Sequence, residues 1–209
     1  LRSNLNFLLK PVESGGQIIL VTSSIGGEGK TFTAINLASV LALSGKKTCL
    51  VGLDLRKPKI FNDFGLSNDR GVSTLLSNQG DGERDIVQFS GKENLDIISA
   101  GPVPPNPSEL LEQDAFNAML LELRDKYDYI VLDTPPMGLV ADSLQIIPQV
   151  DGTIYVSRFN YTQKELLGFV NQQYEDKKVE HIGIALNDIS NQVGYGYGYG
   201  YGYGYGYGY

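Results

Sequence analysis

Short apolar runs alternate along the chain with longer segments of helical periodicity, and this alternation predicts strands and helices in turn. Six apolar runs predict strands, at residues 17–21, 48–53, 95–99, 129–132, 153–157 and 182–186. Residues 31–43 and 108–123 predict helices, and Asp142 and Thr162 are placed as N-caps of two further helices. Because the connections are short, the pattern predicts an α/β fold: a mostly parallel central sheet with helices on both faces.

A glycine-rich segment, Ser24–Thr31, follows the first predicted strand and opens the first predicted helix. Ligands of such sheets bind where the strands end, and glycines there let successive N–H groups converge on phosphate oxygens. Lys30 would reach the β- and γ-phosphates of a nucleotide, and the Thr31 hydroxyl would bind Mg²⁺. The strict phosphate-loop pattern has glycine at Ser24, so the expected fold is of the P-loop NTPase type with a deviant Walker A motif. The residues expected to surround the nucleotide here are Gly26, Gly27, Glu28, Gly29, Lys30, Thr31 and Phe32.

Two acidic motifs decide against the alternative for this segment, a glycine-rich turn that only caps a helix. Asp54 is placed at the end of the second predicted strand, and Asp133 at the end of the fourth. Mg²⁺ prefers carboxylates together with water and phosphate oxygens, so the two aspartates would complete the phosphate site. Either aspartate taken alone is equally consistent with a turn or a helix cap.

Composition narrows the class of protein. The 209 residues, 42% of them hydrophobic, suffice for one α/β domain with a core. The formal charge of −7 argues against nucleic acid as a partner, because a surface that neutralises phosphates is usually basic. The one cysteine, Cys49, excludes an internal disulfide framework and suits a reducing compartment. No apolar run approaches the roughly 20 residues that span a bilayer. The chain starts at Leu1, so we expect a fragment of a longer protein with any membrane segment upstream.

Three motifs together resemble those of the bacterial tyrosine kinases (BY-kinases), the cytoplasmic kinase domains of capsule and exopolysaccharide co-polymerases. Lys30-Thr31 resembles the family's Walker A motif, Asp54-Leu55-Arg56-Lys57-Pro58 its Walker A′ motif, and Asp133-Thr134-Pro135-Pro136 its Walker B motif. The segment Pro105–Leu111 and the tyrosine-rich C-terminus are similar to further hallmarks of the family. The opening Leu1–Phe7 is similar to the end of an N-terminal helix that the family uses in ring assembly.

This resemblance implies an ATP- and Mg²⁺-dependent protein-tyrosine kinase that regulates capsule or exopolysaccharide synthesis and export. It implies that Lys30 holds the β- and γ-phosphates and that Thr31 and Asp133 organise Mg²⁺. It also implies that Asp54 ligates or orients the metal shell or helps to accept the tyrosine proton. Asn187 matches a position that contacts adenine in related domains. The implied partner is a transmembrane activator or an upstream membrane segment, which would hold this cytoplasmic domain at the inner membrane.

The Walker A′ motif departs from the family pattern, because Gly52 stands where the family usually has a first aspartate. Asp54 is then the nearest candidate for the base. We expect kinase activity to be retained even if it is slower, since the transition state of phosphoryl transfer is largely dissociative.

One alternative is a nucleotide-dependent assembly switch of the cell-division or plasmid-partition type. Such an ATPase normally has a second lysine early in its phosphate loop, and Ser24-Ile25-Gly26 has none. The other alternative is a non-catalytic scaffold that binds nucleotide and displays tyrosines.

From Gly194 to Tyr209 the chain alternates glycine and tyrosine, eight of each, and this break divides it into an ATP-binding kinase domain, 1–193, and an acceptor tail, 194–209. The predicted phosphoacceptors are Tyr195, Tyr197, Tyr199, Tyr201, Tyr203, Tyr205, Tyr207 and Tyr209. An inert or engineered tail and an added strand are the alternatives. Sixteen residues reach about 50 Å when stretched and about 22 Å as a flexible coil. We therefore expect autophosphorylation in trans, each tail entering a neighbouring subunit of a closed homo-oligomeric ring.

Overall fold

The computed structural model describes residues 2–77, 86–138 and 142–189. The strands are β1 (Gln17–Ser23), β2 (Thr48–Gly52), β3 (Val87–Lys92), β4 (Leu95–Ile98), β5 (Tyr129–Asp133), β6 (Gly152–Arg158) and β7 (Ile182–Asn187). The α-helices are α1 (Leu5–Leu8), α2 (Lys30–Leu43), α3 (Ile60–Phe64), α4 (Val72–Leu76), α5 (Pro107–Leu111), α6 (Asp114–Lys126), α7 (Asp142–Ile146) and α8 (Lys164–Glu175). Arg2–Asn4 and Ile147–Gln149 form 3₁₀ turns.

The described strands form one sheet in the order β3-β4-β2-β5-β1-β6-β7. Every neighbouring pair is parallel except β3 and β4, which are antiparallel. β1 lies between β5 and β6, with Leu20 opposite Leu132 on one side and Thr153 on the other. This arrangement confirms the predicted fold class and places the carboxyl ends of β1, β5 and β6 side by side.

Helices cover both faces of the sheet and bury two apolar layers. Ile18 and Leu20 of β1 belong to the layer that contains Phe116 of α6, whereas Ile19 and Val21 belong to the layer that includes α2. Because successive residues of a strand point to opposite faces, a strand covered on both sides must be apolar throughout. This requirement explains why β1 is an unbroken apolar run.

All six predicted strands are present, with ends that differ by two residues or fewer. β3 was not predicted: it is a half-buried edge strand that contains Gln88 and Ser90, so it lacks an apolar run. The single helix predicted at 108–123 is wrong. Glu112 and Gln113 separate α5 from α6, because Gln113 has an extended backbone (φ −75°, ψ 148°) that cannot continue a helix.

Both predicted N-caps need correction. Helix α8 begins at Lys164 with Gln163 as its N-cap, so Thr162 lies outside the cap. The Thr162 hydroxyl instead accepts a hydrogen bond from the Arg158 amide at 2.8 Å, within the turn that follows β6. Helix α7 begins at Asp142 itself rather than after it.

The described residues contain no helix long and apolar enough to cross a membrane. The predicted domain boundary after residue 193 and the eight tail tyrosines lie outside the described residues.

Candidate active site

The glycine-rich segment forms a loop between the carboxyl end of β1 and the start of α2. Gly27 and Gly29 have φ angles of 88° and 94°, a region that side-chain-bearing residues rarely adopt. Gly29 is the N-cap of α2, so the loop leads directly into the positive end of a fourteen-residue helix. A loop of this shape at a helix N-terminus is suited to bind an anion.

Four side chains, from α2, from β5 and from the loop after β2, meet at this point. The Lys30 ammonium, at the start of α2, lies 3.1 Å from Asp54 Oδ2 and 3.7 Å from Asp133 Oδ1. The Thr31 hydroxyl donates to Asp133 Oδ2 at 2.8 Å. Asp133 is the last residue of β5, whereas Asp54 lies two residues beyond β2 rather than at its end. Asp54 is fixed there because its Oδ1 accepts from the Lys57 amide at 3.0 Å.

Asp133 is the most deeply buried member of this group, with 3% of its side chain exposed. Burial raises the pKa of Asp133 from its ordinary value of 3.8 to about 6; Lys30 and the Thr31 hydroxyl oppose this rise, and the charge of Asp54 adds to it. Within the described residues, Asp133 Oδ1 has no hydrogen-bond donor, although the Lys30 charge is near. A buried carboxylate oxygen without a donor is an expensive arrangement unless a ligand completes it.

The donor set fits Mg²⁺. It offers the bare oxygen of Asp133, the Thr31 hydroxyl and the nearby Asp54 carboxylate, which are hard oxygen ligands of the kind Mg²⁺ prefers. Among the described residues no group of three or more His, Cys, Asp or Glu side chains could hold a metal ion by itself. A magnesium ion here would therefore take its remaining ligands from water and from a bound phosphate, as is usual for this ion in nucleotide sites.

A cavity of about 330 Å³ opens over these groups. Its lining residues are Gly26, Gly27, Gly29, Lys30, Thr31, Phe32, Asp54, Arg56, Lys57, Lys59, Pro135 and Pro136. Of the residues expected around a nucleotide, Glu28 and Asn187 are not on its wall. The Walker A′ residues Arg56 and Lys57, together with Lys59, form a cationic rim. Arg56 Nη2 donates to Ser108 Oγ at 2.9 Å, which joins this rim to the segment 105–111 that the resemblance singled out.

Glu28 and Asn187 instead support the loop from outside the cavity. Glu28 is fully buried, and its carboxylate accepts from the Ile25 amide at 2.8 Å and from the Thr162 hydroxyl. Asn187 Nδ2 donates to the carbonyl of Glu28 at 3.0 Å. Contact of Asn187 with adenine stays a prediction, and the geometry gives this side chain a second task next to the loop.

Two further residues at this edge, Arg158 and Tyr161, are not among the site residues that the sequence predicts. They lie at the end of β6 and in the turn after it, and both donate to carbonyls of the phosphate loop. The available signal was their place after a predicted strand, because strand ends of a parallel sheet share one edge. An arginine and a tyrosine after a strand belong to no motif of the sequence, so this signal by itself does not single them out.

Gly52, at the end of β2, lies next to the small gap that Asp54 and Asp133 also line. A Cβ atom at Gly52 would lie 3.2 Å from the Ala100 amide nitrogen and 3.6 Å from Ile60 Cδ1, so the position is tight. The structure thus leaves Asp54 as the carboxylate at the mouth of the cavity in this motif.

Known proteins with the same pattern identify the family. A family model described as an AAA domain matches residues 16–148. Tyrosine-protein kinase YwqD of Bacillus subtilis is 36% identical over 188 residues, which make up 90% of this chain and 78% of YwqD. The chain belongs to the bacterial tyrosine-protein kinases. This confirms the resemblance drawn from the three motifs and the expectation that the chain is a kinase domain.

Solved structures agree with membership of the tyrosine-protein kinases. The kinase domain of Escherichia coli tyrosine kinase ETK is 33% identical, with a TM-score of 0.84, and the match covers 100% of this chain and 77% of that one. The chain spans 26% of the full-length E. coli tyrosine-protein kinase Etk. The septum site-determining protein MinD of Pyrococcus horikoshii, solved with Mg-ADP, shares the fold at 23% identity and a TM-score of 0.68, over 82% of this chain and 70% of that one.

Proposed function

We propose that this domain binds ATP and Mg²⁺ in the cavity over the phosphate loop and transfers the γ-phosphoryl group to tyrosines of the tail. The observation that carries the proposal is the convergence of Lys30, Asp54 and Asp133 at the mouth of a glycine loop. Family membership supplies the reaction type, and the cavity supplies a volume within the usual range for small-molecule sites.

Each side chain of the cluster has a role in this reaction. Lys30 leaves its ion pair with Asp54 and neutralises the β- and γ-phosphates. Thr31 and Asp133 hold the metal ion, which when bound offsets the negative charge of those phosphates. Positioning and charge neutralisation carry most of the catalysis in such a transfer.

The acceptor tyrosine loses its proton as its oxygen bonds to the γ-phosphorus. The bond between that phosphorus and the β–γ bridging oxygen breaks, and ADP leaves. Asp54, freed from Lys30, is the nearest carboxylate to take the proton, and a phenol with a pKa near 10 does not demand a strong base. Gly52 supplies no carboxylate, so we infer that the chain relies on Asp54 or on solvent.

We infer further that the transfer occurs in trans within a ring of subunits. The tail is long enough to enter a neighbouring cleft, with about 22 Å as a coil and about 50 Å when stretched. A membrane-attached partner or upstream segment recruits the ring to the inner membrane, and tail phosphorylation regulates capsule or exopolysaccharide synthesis and export. The support for these steps is the resemblance of the motifs and tail to those of BY-kinases.

The direct test is phosphate analysis of the tail. The protein is incubated with labelled ATP and Mg²⁺, and mass spectrometry then searches Tyr195–Tyr209 for the label. We expect phosphotyrosine there and none in a Lys30→Met variant. Phosphate release without phosphotyrosine would favour the assembly switch, which the MinD-like fold keeps as the second candidate. The absence of both released phosphate and phosphotyrosine would favour the scaffold.

A mixing experiment tests transfer in trans. A Lys30→Met subunit with its natural tail is combined with an active subunit whose eight tail tyrosines are replaced by phenylalanine. We expect the inactive subunit's tail to become phosphorylated, because the active partner has lost its own acceptors. An unlabelled tail in the mixture, with normal labelling of the unaltered protein, would restrict the reaction to transfer within one subunit.

A further inference from the structure

Three consecutive carbonyls of the phosphate loop accept hydrogen bonds from side chains at the ends of β6 and β7 and in the turn after β6. The Tyr161 hydroxyl donates to Gly26 O at 3.0 Å, Arg158 Nη1 donates to Gly27 O at 3.1 Å, and Asn187 Nδ2 donates to Glu28 O at 3.0 Å. We call Tyr161, Arg158 and Asn187 the outer clamp. None of the three residues lines the cavity that the nucleotide would enter.

The outer clamp determines where the loop amides point. In a planar trans peptide the C=O and the following N–H are antiparallel, so fixing one fixes the other. The three bonds thus orient the N–H groups of residues 27, 28 and 29 away from the clamp. Among the described residues, the amides of Gly27 and Gly29 donate no hydrogen bond, whereas the Glu28 amide closes the turn formed by Gly26 and Gly27. Amides that are held in place and left without an acceptor are what an incoming phosphate requires.

The clamp is itself braced. The Arg158 guanidinium donates to Asp188 Oδ2 at 2.9 Å through Nε, and its centre lies 5.1 Å from the ring centroid of Tyr161. Thr162 connects the same turn to the buried Glu28 carboxylate. Neighbouring groups therefore hold the donors of the clamp in place before any ligand arrives.

Two loop glycines leave room for the clamp donors to approach the backbone of the phosphate loop. A Cβ atom at Gly29 would lie 2.1 Å from Asn187 Nδ2, and one at Gly27 would lie 3.0 Å from the Tyr161 hydroxyl oxygen. A side chain at either position would displace a clamp donor in addition to straining the backbone. The glycines thus serve the outer side of the loop as well as the phosphate side.

We propose that Tyr161, Arg158 and Asn187 are positioning residues that hold the phosphate loop with its amides directed at the nucleotide phosphates. They act through the backbone and do not touch the nucleotide in this role. The inference rests on the proposed nucleotide site and deepens it, because it assigns part of the phosphate affinity to residues outside the cavity.

The test removes one hydroxyl. Tyr161→Phe keeps the ring and its contact with Arg158 and deletes only the donor to Gly26 O, and the ring is partly exposed (46%), so the fold is preserved. Calorimetry then measures the affinity of the full chain for Mg-ADP and for inorganic tripolyphosphate. We expect both dissociation constants to rise about three- to tenfold, the usual net effect of one lost hydrogen bond. Asn187→Ala should give a similar loss for tripolyphosphate, which has no base to contact.

Two readouts separate this role from a merely structural one. The thermal midpoint without nucleotide should fall by no more than about 2–4 °C in Tyr161→Phe, the usual effect of one lost hydrogen bond in a chain of this size, while the amide resonance of Gly27 should shift in a ¹⁵N spectrum. The matched control is Tyr174→Phe, which deletes a hydroxyl on α8 near the opposite end of β7 and should change neither affinity.

The outcomes are distinguishable. If the unaltered chain fails to bind Mg-ADP, the proposed function fails. If it binds and Tyr161→Phe binds both probes equally well, the clamp is refuted while the site stands. A loss for Mg-ADP alone, with tripolyphosphate unchanged, also refutes the clamp, because it would assign Tyr161 to recognition of the nucleoside.

Discussion

Asp133 is an example of a single residue at which binding competes with stability. Its carboxylate is buried beside Lys30 and Thr31, and burial raises its pKa from 3.8 to about 6. Below pH 4 it is protonated in the folded and the unfolded chain, and above pH 6 it is ionised in both. Between these values only the folded chain holds the proton, so this group makes the free energy of unfolding fall as pH rises from 4 to 6. The total loss is about 3 kcal/mol.

Replacement of this carboxylate should therefore stabilise the ligand-free protein. We expect Asp133→Asn to raise the free energy of unfolding at pH 7 by up to about 3 kcal/mol, and the difference to vanish near pH 4. Urea unfolding of both proteins across this pH range measures it. Asp125→Asn, which makes the same substitution at an exposed position of α6, is the matched control. A variant less stable than the natural protein at pH 7 would mean that the contacts of Asp133 with Lys30 and Thr31 outweigh its burial.

Gly52 stands where the family usually has the first aspartate of the Walker A′ motif, so this residue tests whether phosphoryl transfer needs that carboxylate. We expect Gly52→Asp to raise kcat by less than about tenfold, because a loose transition state gains little from a stronger base. Gly52→Ala is the matched control for the tight packing against Ala100 and Ile60. Single-turnover phosphorylation of the tail measures both. A gain of two orders of magnitude in Gly52→Asp alone would show that a dedicated base had been missing.

The sequence predicts a strand or helix well where the whole element is buried in the same way along its length. β1 and β5 are covered on both faces and stand out as apolar runs, whereas β3 is a half-buried edge with polar residues and gives no such signal. The break between α5 and α6 depends on the extended backbone of Gln113, which the helical periodicity of the segment conceals. The periodicity of apolar residues indicates which side of an element is buried, but it gives no sign of a short interruption in the element.

The candidate site divides in the same way. Lys30 and Thr31 could be found because they are adjacent in one motif, and Asp54 and Asp133 because each follows a predicted strand. The sequence points to Asn187 of the outer clamp only as an adenine contact, and it places Arg158 and Tyr161 only near a strand end. Their contact with the loop depends on β6 being the neighbour of β1, and no local pattern in the sequence gives the order of the strands. Long-range neighbours of a motif require the topology of the sheet.

One ion pair joins elements on the side of the sheet away from the site. Arg124 of α6 donates to both oxygens of Asp151, at 2.8 and 3.3 Å, and to the Gly16 carbonyl at 2.8 Å. Asp151 Oδ2 also accepts from the Ile18 amide at 2.7 Å. The pair thus ties the end of α6 and the start of β6 to the start of β1, the strand that leads to the phosphate loop.

We expect Arg124→Met to lower the free energy of unfolding by about 2–3 kcal/mol, because it leaves the mostly buried Asp151 carboxylate without its counter-charge. The double variant Arg124→Met/Asp151→Asn should cost less than the sum of the two single changes, since neither partner is then left charged and alone. Urea unfolding of the four proteins completes the cycle. Additive effects would show that the two residues contribute separately.

At the scale of the whole molecule, net charge links the proposed chemistry to the proposed assembly. The chain carries −7 before any reaction. Each phosphotyrosine adds about −1.5 to −2, so even a few transfers per tail double the negative charge of a subunit. In a ring these charges would be brought together, and like charges at close range oppose association. Phosphorylation should therefore weaken the ring by electrostatic repulsion between subunits.

Salt dependence tests this mechanism of disassembly. We expect the phosphorylated protein to sediment as smaller species than the unphosphorylated one at 0.1 M salt, where charges interact over about 10 Å, and to reassociate at 1 M salt, where the range is about 3 Å. Analytical ultracentrifugation measures both, and the chain with all eight tail tyrosines changed to phenylalanine is the control that ATP should leave assembled. Dissociation that persists at 1 M salt would contradict repulsion and would mean that phosphates block a specific contact, because screening removes long-range charge effects and leaves such a contact blocked.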